Sequence, residues 1–341
     1  MKKKPLVIGD IARELNVSIT TVSFILNGKA KEKRISDDLT NKVLKYVKKV
    51  NYSPNHLAKS LRTGKTNLIG LIVEDISNPF FANVARLIEE NAYKRGFRII
   101  YCSSENDTEK TRELIKVFRE RQVDAYIITP AEGTENDVKS LLHESFPVIL
   151  FDRYFPNLNT NYVVVDNSGS TYNAIKHFLD QGYKNIAFVT LLTDQTQMQE
   201  RLDGYKKAIK ENKLKSYIKK IPYHDNSTNY VEPIQSYLST QSNIDAVFFA
   251  TNYLGISGLE AINKLGRKIP SQIGVISFDD HDLFRFHSPS ITAVAQPIRE
   301  MSEQLINILL DNLDGREKVL EEKNITLPAS LIIRNSSTLK G

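Results

Sequence analysis

The chain has 341 residues but a single cysteine, Cys102, no tryptophan and three methionines. One cysteine excludes an internal disulfide framework and a cysteine-built metal cluster. The six histidines are scattered along the chain. No apolar run approaches the roughly 20 residues needed to cross a bilayer. The N-terminal MKKKPLVIGDIA has the lysines of a secretory signal but not its apolar centre, because Gly9 and Asp10 interrupt it. There is no glycine-rich phosphate loop, no GxSxG elbow and no paired cysteine and histidine, so the common enzyme signatures are missing. These absences set the expectation of a cytoplasmic protein that is not an enzyme and uses neither metal nor cofactor. The length exceeds one core and predicts two or three domains. A hydrophobic content of 41% and a charged content of 25% are ordinary for a soluble globular protein.

The net charge of +6 is unevenly spread. Residues 1–66 hold 15 Lys and Arg against 5 Asp and Glu, whereas residues 67–341 hold 31 against 35. A small basic head on a slightly acidic body is the charge pattern of a phosphate-binding module joined to a neutral domain. A solvated charged face is the plainer reading of any such run.

Residues 8–27, IGDIARELNVSITTVSFILN, read as two short helices joined by a tight turn. Ile8, Ile11, Ala12 and Leu15 recur at helical spacing on the first. Ser18 is placed to cap the second, where Val22, Ile25 and Leu26 point back and Thr20, Thr21 and Phe24 face outward. Helices this short bury each other only by crossing steeply, which leaves one polar side projecting in a shape that fits the DNA major groove. An ordinary helical hairpin shows the same pattern. The basic loop 29–34, KAKEKR, follows. Ser36 then caps a third helix, with Asp37 and Asp38 in its first turn and Leu39, Val43, Val47 and Val50 as its buried stripe. Residues 53–67, SPNHLAKSLRTGKTN, have Leu57, Ala58 and Leu61 on one face, but two turns of helix do not stand alone in water. They read as a linker that is helical only when something packs on it.

From Leu68 onward apolar strands alternate with amphipathic helices: LIGLIVED, a helix through NPFFANVARLIEE, RIIYCSS, VDAYIITP and FPVILFD. A second series runs from YVVVDN through NIAFVTL, a strand near Tyr217, AVFFAT and GVISFDD. Buried strands alternating with helices predict two doubly wound parallel α/β subdomains. Residues 291–341 add two strand-like stretches, ITAVAQ and NITLP, around a helix at 298–312, and are expected to cross back between the halves. The expected organisation is 1–52 as headpiece, 53–66 as hinge and 67–341 as core. Within the core, 67–165 and 295–324 form one half, and 166–294 and 325–341 the other.

Ligands of open parallel sheets lie beyond the carboxyl ends of the strands. Asp75, Asp152 with Arg153, Asn252, and Asp279 with Asp280 fall at four such ends. Each could equally cap the helix that follows, but four ends converging on one cleft favour a ligand site. Phe80 and Phe81 fit either core packing or one ring stacked on a flat ligand.

At this point the chain resembles the lactose-repressor and galactose-repressor family of bacterial transcription regulators. The resemblance runs over nearly the whole length, through IARELNVSITTVSFILNG, YSPNHLAKSLRTGKTNLIGLI, NPFFANVARLIEE, RGF, FDR, VDN, ERLDGYKKA, ATN, ISFDD, AVAQP and LPASLIIRNSS. It implies a helix-turn-helix headpiece, a hinge helix, a core like the periplasmic sugar-binding proteins, and a homodimer on a palindromic operator at the nucleoid. Its motifs place Ser18, Thr20, Thr21, Ser23, Phe24, Asn27, Lys29, Asn55, His56, Lys59 and Leu61 at double-stranded DNA, with Leu61 as a wedge in the minor groove. They place Arg201, Asn252, Asp279 and Gln296, with Asp152 at another such place, at a small-molecule effector, a sugar or sugar derivative; the strand-end reading adds Asp75, Arg153, Phe80 and Phe81 as candidates for the same ligand. Asp, Asn and Arg suit polyol hydroxyls because they supply paired acceptors or donors.

Three departures stand out. Phe24 replaces an arginine that commonly reads guanine, and phenylalanine can touch only a thymine methyl or an apolar base edge. The 29–34 loop is about three residues longer than usual, and Tyr253 replaces an aspartate. No heptad-repeat extension follows, so a dimer is expected rather than a tetramer. A transport protein would need a signal peptide and no basic head, and the sequence has the reverse.

Overall fold

The computed structural model describes residues 6–52, 64–223, 230–313 and 322–338. The chain forms two compact units, Met1–Thr66 and Asn67–Gly341. The hinge residues Asn55, His56, Lys59 and Leu61 lie outside the described residues.

The first unit holds α1 (Ile8–Glu14), α2 (Ile19–Leu26) and α3 (Asp37–Lys49). The Ser18 hydroxyl accepts the Thr21 N–H at 3.0 Å, and Ser36 accepts the Leu39 N–H at 3.3 Å. Each cap satisfies a backbone donor that the first turn leaves open. Asn16 takes φ of 51° at the turn between α1 and α2, a conformation asparagine tolerates better than most residues. Ile11, Ala12, Val22, Ile25 and Val43 make the core, with Leu39 and Val47 packed against it. The 29–34 segment is more ordered than a solvated basic loop. Lys33 donates its N–H to the Lys29 carbonyl and Ile35 to that of Ala30, and Ala30 is buried. Lys29, Lys31, Lys33 and Arg34 stay exposed.

The second unit opens with β1 (Leu68–Val73), α4 (Pro79–Lys94), β2 (Arg98–Ser103), α5 (Thr108–Glu120), β3 (Ala125–Ile128), α6 (Glu135–His143), β4 (Val148–Phe151) and β5 (Asn161–Val165). It continues with α7 (Asn167–Asp180), β6 (Ile186–Leu191), α8 (Thr196–Glu211), β7 (Tyr217–Ile221), α9 (Val231–Thr240), β8 (Ala246–Phe249), α10 (Asn252–Lys264), β9 (Gly274–Phe278), α11 (Asp282–Phe286) and β10 (Thr292–Ala295). Last come α12 (Ile298–Leu313), β11 (Asn324–Leu327) and β12 (Ser330–Ile332).

Two six-stranded sheets result, ordered β11-β5-β4-β3-β1-β2 and β12-β10-β9-β8-β6-β7. β1, β3, β4, β6, β8 and β9 are almost wholly buried, as expected of strands covered by helices on both faces. One strand departs from the expected all-parallel pattern. β12 runs antiparallel to β10, pairing Val294 with Leu331. β11 pairs with β5 in the first sheet, so that half extends to Leu327, beyond the expected boundary at 324. The chain therefore crosses between the halves after Val165, after Ala295 and after Leu327. In both sheets the strand order reverses beside the first strand of the half, β1 or β6. That is where the carboxyl ends leave a crevice.

Candidate DNA-contacting helix and ligand cleft

In the headpiece, α2 exposes Thr20, and Asn27 and Lys29 follow it in the open. Thr21, Ser23 and Phe24 are half-buried, and the Lys33 ammonium lies 5.5 Å from the Phe24 ring centroid. Two of the expected DNA residues already serve the helix itself. Ser18 caps its start, and Asn27 Nδ2 donates back to the Ser23 carbonyl at 2.7 Å.

In the core, Asp152 and Asp279 each follow directly on a buried strand, β4 and β9, and both take positive φ, 69° and 65°. Non-glycine residues in this region cost of order 1–3 kcal/mol and cluster at ligand sites. Burial pushes the Asp152 carboxyl up to about 6, against the pull of Arg153 and Arg201, while Glu74 and Asp279 push the same way as burial. Burial likewise raises Asp279, with Arg201 and Gln296 pulling it down. Arg201 projects from α8 and is 2% exposed. Its Nε donates to Asn167 Oδ1 at 2.9 Å and its Nη1 to the Ala250 carbonyl at 2.7 Å. The guanidinium lies 3.6 Å from the Phe278 ring centroid and 4.0 Å from Asp279 Oδ2. Gln296 Nε2 donates to Asp279 Oδ1 at 2.6 Å. Asn252, at the start of α10, donates to Asn78 Oδ1 at 3.1 Å, joining the two walls of the cleft.

Arg153 is the second buried guanidinium, also 2% exposed. Its Nη1 donates to Glu74 Oε2 at 3.0 Å and to Gln195 Oε1 at 2.7 Å, and its Nη2 to Asn106 Oδ1 at 2.5 Å. Glu74 and Asn106 belong to the first half and Gln195 to the second, so this one side chain ties both walls. A further link runs from Tyr154, whose hydroxyl donates to Glu200 at 3.2 Å. Glu200 also accepts from Asn167 Nδ2 at 3.1 Å, and Asn167 in turn holds Arg201. A cavity of about 260 Å³ opens beside Glu200 and the stacked Tyr154–Tyr162 pair.

The structure thus brings Asp152, Arg153, Arg201, Asn252, Asp279 and Gln296 to one cleft. Asp75 is placed differently: both its carboxylate oxygens serve Ser77, accepting from its N–H at 2.8 Å and its hydroxyl at 2.7 Å. Phe80 and Phe81 are buried in an edge-to-face pair that packs on Phe151, so both rings belong to the core. Sequence reasoning passed over Glu74, Asn106, Asn167, Gln195, Gln197 and Glu200. For Glu74 the signal was available, because it directly follows strand β1, one position before Asp75.

Residues 7–55 match the bacterial regulatory proteins of the lacI family, and residues 175–337 match a periplasmic binding protein-like domain. The chain is 30% identical over 334 residues to the HTH-type transcriptional regulator DegA of Bacillus subtilis strain 168, covering 97% of this chain and 98% of that protein. The chain belongs to the lacI family. Among solved structures, this lacI-family chain is similar to a LacI family transcriptional regulator from Enterococcus faecium with bound ribose. That match has 26% identity and a TM-score of 0.69, and covers 80% of this chain and 98% of that one. It shares its fold with the lac repressor dimer bound to operator and the anti-inducer ONPF, at 18% identity and a TM-score of 0.86, over 98% of this chain and all of that one. Among the described residues, no helix is long and apolar enough to cross a membrane.

Proposed function

We propose that this lacI-family protein is a ligand-responsive transcriptional regulator, a repressor of sugar or related catabolic genes. It binds a palindromic operator as a homodimer and takes its effector in the cleft of the core. The observation that carries the reading is the coexistence of a basic helix-turn-helix unit with a polar cleft built from two buried arginines and two strained aspartates. A transport protein has no use for the first. A regulatory role is supported over an enzymatic one by the DegA relative, a transcriptional regulator 30% identical over nearly the whole chain. The protein acts in the cytoplasm, where its operator is.

In this reading α2 lies in the major groove, with Thr20, Thr21, Ser23, Phe24 and Lys29 reaching bases and phosphates, and Ser18 and Asn27 fixing the helix ends. The hinge residues Asn55, His56, Lys59 and Leu61 complete the contact at the minor groove. Arg201, Asp152, Asn252, Asp279 and Gln296 hold effector hydroxyls. The bound ribose of the Enterococcus faecium neighbour and the operator and anti-inducer of the lac repressor neighbour support the same division of labour. A dimer is supported by apolar side chains left exposed on both halves, among them Tyr101 on edge strand β2 and Phe286 on α11.

The test combines two assays on the full chain. Operator selection from random duplexes is expected to return a palindrome with two equivalent half-sites. A thermal-shift screen over free sugars is expected to find one that raises the melting temperature and changes operator affinity. A protein that enriches no duplex sequence is not this regulator.

A further inference from the structure

The charges of the cleft do not balance. Glu74, Asp152 and Asp279 bring three carboxylates to it, and Arg153 and Arg201 bring two guanidinium groups. Arg153 is the group best suited to hold an anion, since a guanidinium grips phosphate or carboxylate with two parallel donors. Here it is already occupied. Glu74 takes Nη1 at 3.0 Å, Gln195 shares that nitrogen, and Asn106 takes Nη2. Glu74 is itself 7% exposed, so the pair sits where water screens little and its neutrality matters most.

The remaining polar atoms follow from that pairing. Arg153 can only donate, which fixes Gln195 with its oxygen toward the guanidinium. Gln197 Nε2 then donates to the same Gln195 oxygen at 3.3 Å, leaving Gln197 Oε1 without a partner among the described residues. Asp279 accepts from Gln296 Nε2 at 2.6 Å, and Gln296 Oε1 is likewise buried and unpartnered. Asp152, itself 7% exposed, adds a third acceptor. Against these stand two donor groups, the buried Arg153 Nε and the second amino nitrogen of Arg201, whose Nε and Nη1 carry its hydrogen bonds among the described residues. Such a surface suits a ligand that both donates and accepts. Hydroxyls and amines do so, whereas a phosphate dianion offers acceptors alone and brings a charge of the wrong sign.

We propose that Glu74 sets the charge class of the effector. By occupying Arg153 it leaves the cleft net negative, so the cleft takes an uncharged polyhydroxyl compound and rejects its phosphorylated counterpart. This rests on the cleft being the effector site.

The experiment uses full-length protein and three probes: ribose, ribose 5-phosphate and inorganic phosphate, each titrated calorimetrically. Wild type is expected to bind neither phosphate compound. Glu74→Gln, which keeps the size and removes the charge, should bind ribose 5-phosphate and inorganic phosphate at least tenfold more tightly than wild type. Glu74→Asp should behave as wild type. Adding Arg153→Gln to Glu74→Gln should abolish the gain, which places the anion at the freed guanidinium. Circular dichroism and an operator mobility shift establish that each variant folds. The proposal is overturned if wild type binds ribose 5-phosphate as tightly as Glu74→Gln, if Glu74→Gln gains nothing, or if the gain survives loss of Arg153. Should Glu74→Gln not fold, the wild type still decides: a sugar phosphate that changes its operator affinity overturns the proposal, and rejection of phosphates by a protein that responds to free sugars upholds it. Failure of the underlying reading looks different: no sugar, free or phosphorylated, alters operator affinity.

Discussion

At the scale of single residues, Asp152 couples burial to pH. Its carboxyl releases a proton at about 6 in the folded chain, against an ordinary value of 3.8. Between those values the folded state holds the proton more tightly than the unfolded one. The stability this site contributes is therefore fully present below about pH 3.8 and is lost as pH rises through 6, by about 3 kcal/mol. Burial of Asp279 acts in the same direction. Asp152→Asn isolates the charge, because asparagine also tolerates the positive φ found there. In urea unfolding the variant should match wild type near pH 4 and exceed it by up to about 3 kcal/mol at pH 8. An unchanged difference across that range would show that Asp152 is not held out of water. Asp279 carries the complementary prediction. It is fixed by Gln296 and faces Arg201, so Asp279→Asn should weaken the effector's influence on operator affinity at least tenfold. Operator affinity without effector should stay as it was. Mobility shifts with and without effector measure both.

At the scale of elements, α8 serves the helix packing and the cleft at once. It carries Arg201 toward the cleft and Gly204 toward α7. A Cβ on Gly204 would meet the Ser168 carbonyl oxygen at 2.2 Å and the Thr171 Cβ at 3.1 Å. The backbone oxygen cannot turn aside as a side chain can, so Gly204→Ala must separate the helices. Overpacking of this kind costs about 1–3 kcal/mol. Arg201 lies one turn before Gly204 and depends on Asn167 of α7 at 2.9 Å, so the same variant should also weaken effector binding. A loss of stability with effector affinity intact would separate the packing role from the positioning role. The alternation of elements was legible in the sequence because strands such as LIGLIV and AVFF are apolar at every position and bounded by helical periods. β12 was not, because Ser330–Ile332 is three residues long and half-exposed, and its antiparallel pairing with β10 depends on a crossover. Asp152, Asn252 and Asp279 were legible as cleft residues because they stand at strand ends. Glu74 stood at such an end too, but Asn106 and Gln195 did not, and what unites all three is Arg153, 79, 47 and 42 residues away along the chain. Asp75 stood at the same kind of strand end, yet its two oxygens serve Ser77. Local pattern alone does not distinguish a turn-forming aspartate from a ligand-facing one.

At the scale of the whole molecule, the two units answer to salt differently. Residues 1–66 carry an excess of ten positive charges, and residues 67–341 an excess of four negative ones. Phosphate contacts then come from the headpiece, while the body adds a weak repulsion from DNA. Each neutralised phosphate releases counterions, so affinity falls steeply with salt: 6–10 contacts lose roughly a thousandfold or more between 50 and 200 mM. Operator affinity of this protein should fall on the order of a thousandfold over that range. The effector faces a different environment. Arg153 and Arg201 are 2% exposed and paired within the protein, and buried pairs feel salt far less than surface charges do. A neutral effector should therefore bind with nearly constant affinity across the same range. The coupling between the sites is the ratio of operator affinities with and without effector, and it must equal the ratio of effector affinities with and without operator. If the headpiece alone carries the salt response, that ratio should hold steady while the absolute operator affinity collapses. Fluorescence anisotropy of a labelled operator at 50, 100 and 200 mM salt, with and without saturating effector, measures every quantity involved. An operator affinity that falls less than tenfold would mean the basic headpiece does not lie along the phosphates. An effector affinity that falls in parallel with operator affinity would place charge from the ligand itself in the cleft, against the role assigned to Glu74.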